Sequence, residues 1–317
     1  MKLLVTGGAG FIGSHYIRYM LWEYPDYQII NVDALTYAGN VANLSSIADL
    51  DRYEFIHADI RDREKMEQLF SSYEIDAVIH FAAESHVDRS IHAPSTFVET
   101  NVLGTQNLLE CARAHHVKTF VQISTDEVYG TLGSDGLFTE ETPLAPNSPY
   151  AASKASADFF VRSYYETYGM DTRITRCSNN YGPNQYPEKL IPVVINKAIN
   201  GEQIPLYGNG QNVRDWLHVY DHCTAIDHVL HKGSPGSVYN IGANNEWSNK
   251  NLVEEILTMM QVPTSRIARV PDRLGHDLRY AIDASKIRGE LGWRPVYDFR
   301  SGLKETIDWY VNRKINH

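Results

Sequence analysis

Tyr150 and Lys154 stand four residues apart just after Pro149, a spacing that puts both side chains on one face of a helix, within reach of the same reactant. A tyrosine there can act as a base only if its phenol, with an ordinary pKa of about 10, becomes easier to ionise. Bringing it to neutrality takes roughly 4 kcal/mol, about what one unit charge some 4 Å away supplies at an effective dielectric near 20. Lys154 carries such a charge. The pair points to proton removal from a hydroxyl whose carbon gives up a hydride. Ser124, at the end of a strand pattern, supplies a hydroxyl to assist the tyrosine. Alone, the same spacing fits a packed tyrosine beside a solvated lysine, so the hydride acceptor has to be found elsewhere in the chain.

The segment Thr6-Gly7-Gly8-Ala9-Gly10-Phe11-Ile12-Gly13 meets that need. It follows the first strand pattern and opens a helix pattern. Glycines at Gly7, Gly10 and Gly13 let backbone amides and the helix N-terminus approach a pyrophosphate that a Cβ would obstruct. Phe11 and Ile12 fall in the same cofactor-contacting turn. Asp33 ends the second strand pattern twenty residues after Gly13, where a carboxylate accepts hydrogen bonds from the adenine ribose. Ala34 and Leu35 follow it rather than an arginine, which favours NAD over NADP. Asp59 and the strand end Phe81-Ala82-Ala83 complete the adenine and ribose pocket.

The elements that position these residues are short apolar runs alternating with helix patterns: 2–6, 28–33, 54–59, 77–83, 119–124 and 172–175. The runs are apolar nearly throughout, as in strands covered on both faces, and the alternation implies parallel crossovers. The expected fold class is α/β, a doubly wound parallel sheet of Rossmann type. Beyond about Asn179 the rhythm loosens into loops rich in Pro, Gly and Asn, with helix patterns at 190–200, 249–260 and 302–311. The reading is an NAD-binding domain over 1–178 and a smaller substrate lobe over 179–317, partly interleaved, sharing a cleft at the carboxyl ends of the strands.

Composition excludes several classes of function. Of 317 residues, 43% are hydrophobic and 21% charged, ordinary values for a globular chain, and the net charge of −10 opposes a general footprint for nucleic acid or anionic membrane. Cys111, Cys177 and Cys223 are scattered and odd in number, so neither a disulfide framework nor a metal site is expected, and a reducing cytoplasm fits. No signal-like or membrane-length apolar stretch is present in the sequence.

Taken together, these residues resemble the extended short-chain dehydrogenase/reductase family over essentially the whole chain. The segment Ser124-Thr125-Asp126-Glu127-Val128-Tyr129-Gly130 narrows the resemblance to dTDP-glucose 4,6-dehydratases, since the related sugar epimerases generally lack the adjacent acids. The resemblance implies a lyase in which carbon 4 of a nucleotide glucose is oxidised, water is eliminated across carbons 5 and 6, and the hydride returns to carbon 6. Catalysis would fall to Thr125, Asp126, Glu127, Tyr150 and Lys154. Glu127 would take the carbon 5 proton, and a protonated Asp126 would donate to the departing hydroxyl. Because consecutive strand side chains face opposite ways, both acids can flank one sugar only if the strand ends by Thr125.

The same resemblance adds Thr36, Ile60, Ser85, Thr100, Ser124 and Asn180 to the cofactor contacts. For the nucleotide sugar it offers Ser85, Thr125, Asn179, Lys189, Leu190, Pro205, Tyr207, Arg214, Asn249, Arg273, His276, Arg279 and Tyr280. Arg214 and Arg273 are the best matched to phosphate oxygens, because a guanidinium donates as a fork. His86 reads as structural rather than catalytic. The helix patterns at 95–115 and 153–168 correspond to helices that form a dimeric four-helix bundle in the family, so a homodimer is implied. The product would be a 4-keto-6-deoxy sugar on the way to deoxysugars such as rhamnose. A 4-epimerase, a dehydratase for another nucleotide sugar, and an NAD-sensing module without catalysis stay open as alternatives.

Overall fold

Burial at every position of Ala77–His80 and Thr172–Cys177 marks strands covered on both faces, the pattern that only a parallel sheet between two helical layers satisfies. The computed structural model describes residues 1–272 and 277–315. In chain order the strands are β1 (Lys2–Thr6), β2 (Gln28–Asp33), β3 (Tyr53–His57), β4 (Ala77–His80), β5 (Thr119–Thr125), β6 (Thr172–Cys177) and β7 (Asn179–Tyr181). They continue as β8 (Ile204–Tyr207), β9 (Val213–His218), β10 (Val238–Ile241), β11 (Glu246–Ser248), β12 (Ile267–Val270) and β13 (Arg279–Tyr280).

Seven of them form one all-parallel sheet in the order β10-β6-β5-β4-β1-β2-β3, the doubly wound arrangement expected from the sequence. Alternation along β1 divides the core: Leu3 and Val5 pack in one apolar cluster with Tyr16, Ile17 and Ile226, and Leu4 in another with Met66, Leu108 and Val161. The first cluster lies under the helices Phe11–Glu23 and Val219–Lys232, the second under Arg63–Ser72, Thr105–Ala114 and Pro149–Tyr168. The chain winds from β1 to β2 and β3 on one side and then crosses to β4, β5 and β6 on the other. The switch point, where ligands bind in such sheets, therefore lies between the carboxyl ends of β1 and β4.

Residues after β6 build a second layer. There β9 pairs with β7 and β13 in parallel and with β11 antiparallel, while β8 pairs with β12. A separate apolar cluster, including Ile191, Trp216, Leu252 and Leu303, supports it. The sequence pattern left these strands unread because they run two to six residues between irregular loops. Between them the chain returns to the large sheet through β10, which pairs with β6.

One helix pattern is broken. The stretch 95–115 is a short helix, Pro94–Phe97, a π-helical turn, Val98–Gly104, and then Thr105–Ala114. At the wide turn Asn101 is buried, donating to the Glu84 carbonyl at 3.0 Å and the Ser153 hydroxyl at 2.8 Å. The Thr105 hydroxyl also donates to the Asn101 carbonyl at 2.7 Å. Such turns cluster at functional sites, and Thr100 of this one reaches the cleft described next. Among the described residues no helix is long and apolar enough to cross a membrane.

Candidate active site

Gly7 has φ +72°, and a Cβ there would stand 2.5 Å from the Ala82 amide nitrogen; at Gly13 it would stand 2.4 Å from the Gly7 carbonyl. The turn after β1 is thus pressed against the end of β4 and closed on itself, which only glycine allows. The helix that follows has no side-chain cap at Gly10, leaving its first amides available to an anion. The Asp33 carboxylate accepts from the Ala9 amide at 2.9 Å and the Leu35 amide at 2.8 Å. Burial pushes its pKa up and those two bonds pull it back. A cleft of about 330 Å³ opens at this switch point.

Its lining takes in Gly7, Gly10, Phe11, Ile12, Gly13, Asp33, Ala34 and Thr36, then Asp59, Ile60, Phe81, Ala82, Ala83, Ser85 and Thr100. Ser124, Tyr150, Lys154 and Asn180 complete the expected cofactor set. Leu35 does not line it; with φ +50° it contributes its backbone amide to Asp33 instead. The Ser124 hydroxyl is buried here with no protein hydrogen-bond partner among the described residues. A glycine turn, an uncapped helix start, a ribose-placed carboxylate and an orphan hydroxyl along one cleft fit a dinucleotide.

The helix Pro149–Tyr168 begins at Ser148, whose hydroxyl accepts from the Ala151 amide at 3.0 Å. Its first turns carry Tyr150 and Lys154, both buried, into the cleft. Lys154 Nζ donates to the Ile123 carbonyl at 2.6 Å. Burial lowers its pKa, while Asp158 raises it. The Tyr150 phenol is pushed well above its ordinary value, first by burial and then by the charge of Glu127, with a hydrogen bond from Thr125 opposing. Two sequence expectations are corrected here. The hydroxyl that meets Tyr150 belongs to Thr125, not Ser124, and burial, followed by the charge of Glu127, raises the phenol pKa rather than lowering it.

Strand β5 does end at Thr125, and a 3-10 turn, Asp126–Tyr129, follows. The Thr125 hydroxyl caps that turn, accepting from the Glu127 amide at 3.3 Å and donating to Asp126 Oδ1 at 3.3 Å. Leaving the strand frees the two acids from opposite faces, and both line the cleft with Tyr150. Asp126 is 1% exposed, and its Oδ2 has no protein partner among the described residues. Burial first and the neighbouring Glu127 second push its pKa well up, with Arg214 opposing. A buried acid pushed toward its protonated form beside a second carboxyl group suits an elimination.

A second cleft of about 210 Å³ joins the first at Glu127, Asn179, Asn180 and Lys189. Leu190, Pro205, Tyr207, Arg214, Asn249 and Tyr280 line it. Lys189 Nζ donates to the Ser85 carbonyl at 3.1 Å. In the pairing of β13 with β9, Tyr280 stands opposite Arg214, whose guanidinium lies 4.2 Å from the tyrosine ring. Part of the Arg214 fork is held by the Val213 and Asp277 carbonyls at 2.7 and 3.0 Å. Arg279 lines neither cleft. As the strand neighbour of Tyr280 it faces the other way, in a bidentate pair with Glu246 at 2.6 and 2.8 Å. Arg273 and His276 lie outside the described residues.

Other residues at the clefts, His86 apart, gave no sequence signal. Tyr37, Tyr186 and Glu188 line the first, and the Arg89 guanidinium sits 3.7 Å over the Tyr37 ring. His222, buried on a helix of the other layer, lies 2.9 Å from Asn180 Oδ1 and orients that amide. His86 caps the helix Val87–His92, accepting from the Arg89 amide at 3.3 Å. Nothing local in the sequence distinguishes a tyrosine or histidine brought in by tertiary packing.

The family model described as GDP-mannose 4,6 dehydratase matches residues 4–306. The chain belongs to this family. Among relatives in the GDP-mannose 4,6 dehydratase family, a dTDP-glucose 4,6-dehydratase of Neisseria meningitidis serogroup B is 49% identical over 99% of this chain and 94% of its own. The crystal structure of a dTDP-glucose 4,6-dehydratase from Streptomyces venezuelae, solved with NAD bound, shares 51% identity at a TM-score of 0.96, covering 99% of this chain and 98% of that one. A UDP-glucose 4-epimerase from Thermotoga maritima, solved with UDP-glucose, superposes with a TM-score of 0.93 over 100% of both chains but at 30% identity. Backbone shape hardly separates dehydratase from epimerase, whereas sequence identity does.

Proposed function

We propose that this chain dehydrates dTDP-glucose to dTDP-4-keto-6-deoxyglucose. The observation that carries the reading is the pair of carboxyl groups following Thr125, one of them buried with its pKa pushed up by burial and by its neighbour, on the wall of the cleft that also holds Tyr150 and Lys154. Residues 1–178 hold the cofactor, through Gly7, Gly10, Gly13 and Asp33, and residues 179–317 hold the nucleotide diphosphate. NAD held by these residues would supply a hydride acceptor for carbon 4, a hydride donor for carbon 6 and a positive charge in the cleft. Tyr150, as its phenolate, takes the proton of the carbon 4 hydroxyl, and the Lys154 ammonium, one helical turn along and anchored on the Ile123 carbonyl, is the cation that steadies that phenolate.

The carbon 4 ketone acidifies carbon 5, from which Glu127 takes the proton. Asp126 then protonates the carbon 6 hydroxyl, which leaves as water; as the hydride comes back to carbon 6, Glu127 returns its proton to carbon 5, and the proton taken by Tyr150 makes good the one Asp126 gave. Asn179 and Asn180 lie where the two clefts join, and Arg214, Lys189 and Tyr207 line the nucleotide side. The enzyme acts in the cytoplasm as a homodimer. A 4-epimerase would share Tyr150 and Lys154 but need neither acid, so the buried Asp126 favours dehydration. Mass spectrometry of products from dTDP-glucose, UDP-glucose and GDP-mannose tests the reading: dTDP-glucose should lose one water and gain a ketone. Epimerisation, with no change of mass, would refute it. Glu127→Gln should oxidise carbon 4 yet stall before water loss, so that absorbance of reduced nicotinamide accumulates; full turnover would exclude Glu127 as the base.

A further inference from the structure

The helix that presents Tyr150 and Lys154 carries a third polar residue on the same stripe. Asp158, four residues beyond Lys154, is 1% exposed. Its Oδ2 accepts from Arg176 Nε on β6 at 2.9 Å, an ion pair buried on both sides. Arg176 Nη1 donates to the Tyr129 hydroxyl at 3.0 Å, and that hydroxyl donates to Asn240 Oδ1 on β10 at 2.8 Å. Tyr129 is the last residue of the turn that begins with Asp126. Its ring also stacks on Phe138 at 5.0 Å. A continuous chain of charge-assisted and neutral hydrogen bonds thus runs from the base-bearing helix, through β6, to the far end of the acid-bearing turn and on to β10. None of its members lines either cleft.

Burying an arginine, an aspartate and a tyrosine hydroxyl together has a desolvation cost that well-packed apolar residues would avoid. What the polar chain provides instead is direction. Arg176 meets two partners with fixed fork geometry, and Tyr129 can satisfy both Arg176 and Asn240 in only one orientation. The turn is four residues long, so fixing Tyr129 at one end while the Thr125 hydroxyl caps the other fixes where Asp126 and Glu127 stand.

Resting on the dehydratase reading, we infer that Asp158, Arg176, Tyr129 and Asn240 are positioning residues for the elimination step, setting the two acids at a fixed place relative to Tyr150 and Lys154. They hold the oxidation half of the site and the water-loss half in one frame. A displacement on the order of 1 Å of a reacting group can cost about 100-fold in rate. Loosening one end of the turn should therefore slow elimination while leaving oxidation, whose residues sit on the helix, near its normal rate.

Tyr129→Phe is the cleanest test, because it keeps the ring on Phe138 and removes only the bridging hydroxyl. With dTDP-glucose and the NAD-loaded variant, stopped-flow absorbance should show reduced nicotinamide forming within about twofold of the parent rate. It should then persist, because elimination is slowed by about tenfold. KM should stay within about twofold while kcat falls. Arg176→Lys, which keeps the charge but loses the fork, should give the same split. Equal loss of both steps, or parental rates for both, would overturn the inference. If the parent itself yields no dehydrated product, the dehydratase reading fails and takes the inference with it; if the parent turns over normally and Tyr129→Phe shows no split, only the inference fails.

Discussion

The Asp126 carboxyl is where local chemistry and fold disagree most about charge. An aspartate in water is ionised near neutrality, but here burial and the adjacent Glu127 favour the protonated form. If it is the acid of the elimination, the reaction needs the proton in place, so kcat should fall as pH rises through the raised pKa of Asp126. That limb should vanish in Asp126→Asn, with activity reduced by about 10² to 10⁴. The stability consequence has the same sign. The folded state holds this proton more tightly than the unfolded chain, so the group's contribution is present at low pH and lost as pH rises through its folded pKa. Asp126→Asn should therefore match or exceed the parent in melting temperature at alkaline pH while losing turnover, which parallel thermal scans and assays across pH would measure. The sequence made both acids legible because they are adjacent in a recognisable segment. It could not show that Thr125 rather than Ser124 would reach Tyr150, since that depends on which strand face meets the helix.

At the scale of elements, legibility follows how much of an element's geometry is set by its own residues. The turn after β1 was readable because three glycines in fixed spacing have few alternatives, and Gly13 shows why: an added Cβ would meet backbone on the opposite side of the turn. Gly13→Ala should leave the strands intact but move the amides that face a pyrophosphate. Isothermal titration with NAD should show affinity lowered by about tenfold or more, since about 1.4 kcal/mol is enough for that change. Unchanged affinity would remove the turn from the cofactor site. The π-helical turn at Val98–Gly104 was not readable, because its cause is nonlocal. Asn101 is drawn inward by the Glu84 carbonyl and the Ser153 hydroxyl, partners far away in the chain. Arg279 failed for a related reason: its facing was decided by pairing of β13 with β9, a strand pair that no periodicity announced.

For the whole molecule, the large sheet was legible as a succession of buried strands and the helices Leu190–Asn200, Asn249–Met259 and Phe299–Ile315 as apolar patterns, whereas the strands of the second layer were not, and neither periodicity nor motif revealed that β10 would come back to extend the first sheet. The surface poses one further question at this scale. The helical segments 94–114 and 149–168 pack side by side on the sheet, and each leaves large apolar side chains in solvent: Val98 is 50% and Leu103 56% exposed on one, Phe159 60% on the other. Adjacent helices with uncovered apolar side chains are what a two-fold helical interface presents before its partner arrives. A homodimer formed there should sediment at twice the chain mass. Phe159→Glu places a charge at the centre of such an interface, and removal of one central aromatic anchor costs at least about 2 kcal/mol, a factor of roughly 30 in dissociation constant. The variant should shift toward monomer at low micromolar concentration in sedimentation velocity runs while its melting transition stays cooperative. Because Phe159 lines neither cleft, NAD binding should survive dissociation. A dimer of undiminished strength would move the interface off these helices, and a parent that sediments as a monomer would leave their apolar face without a second copy to cover it.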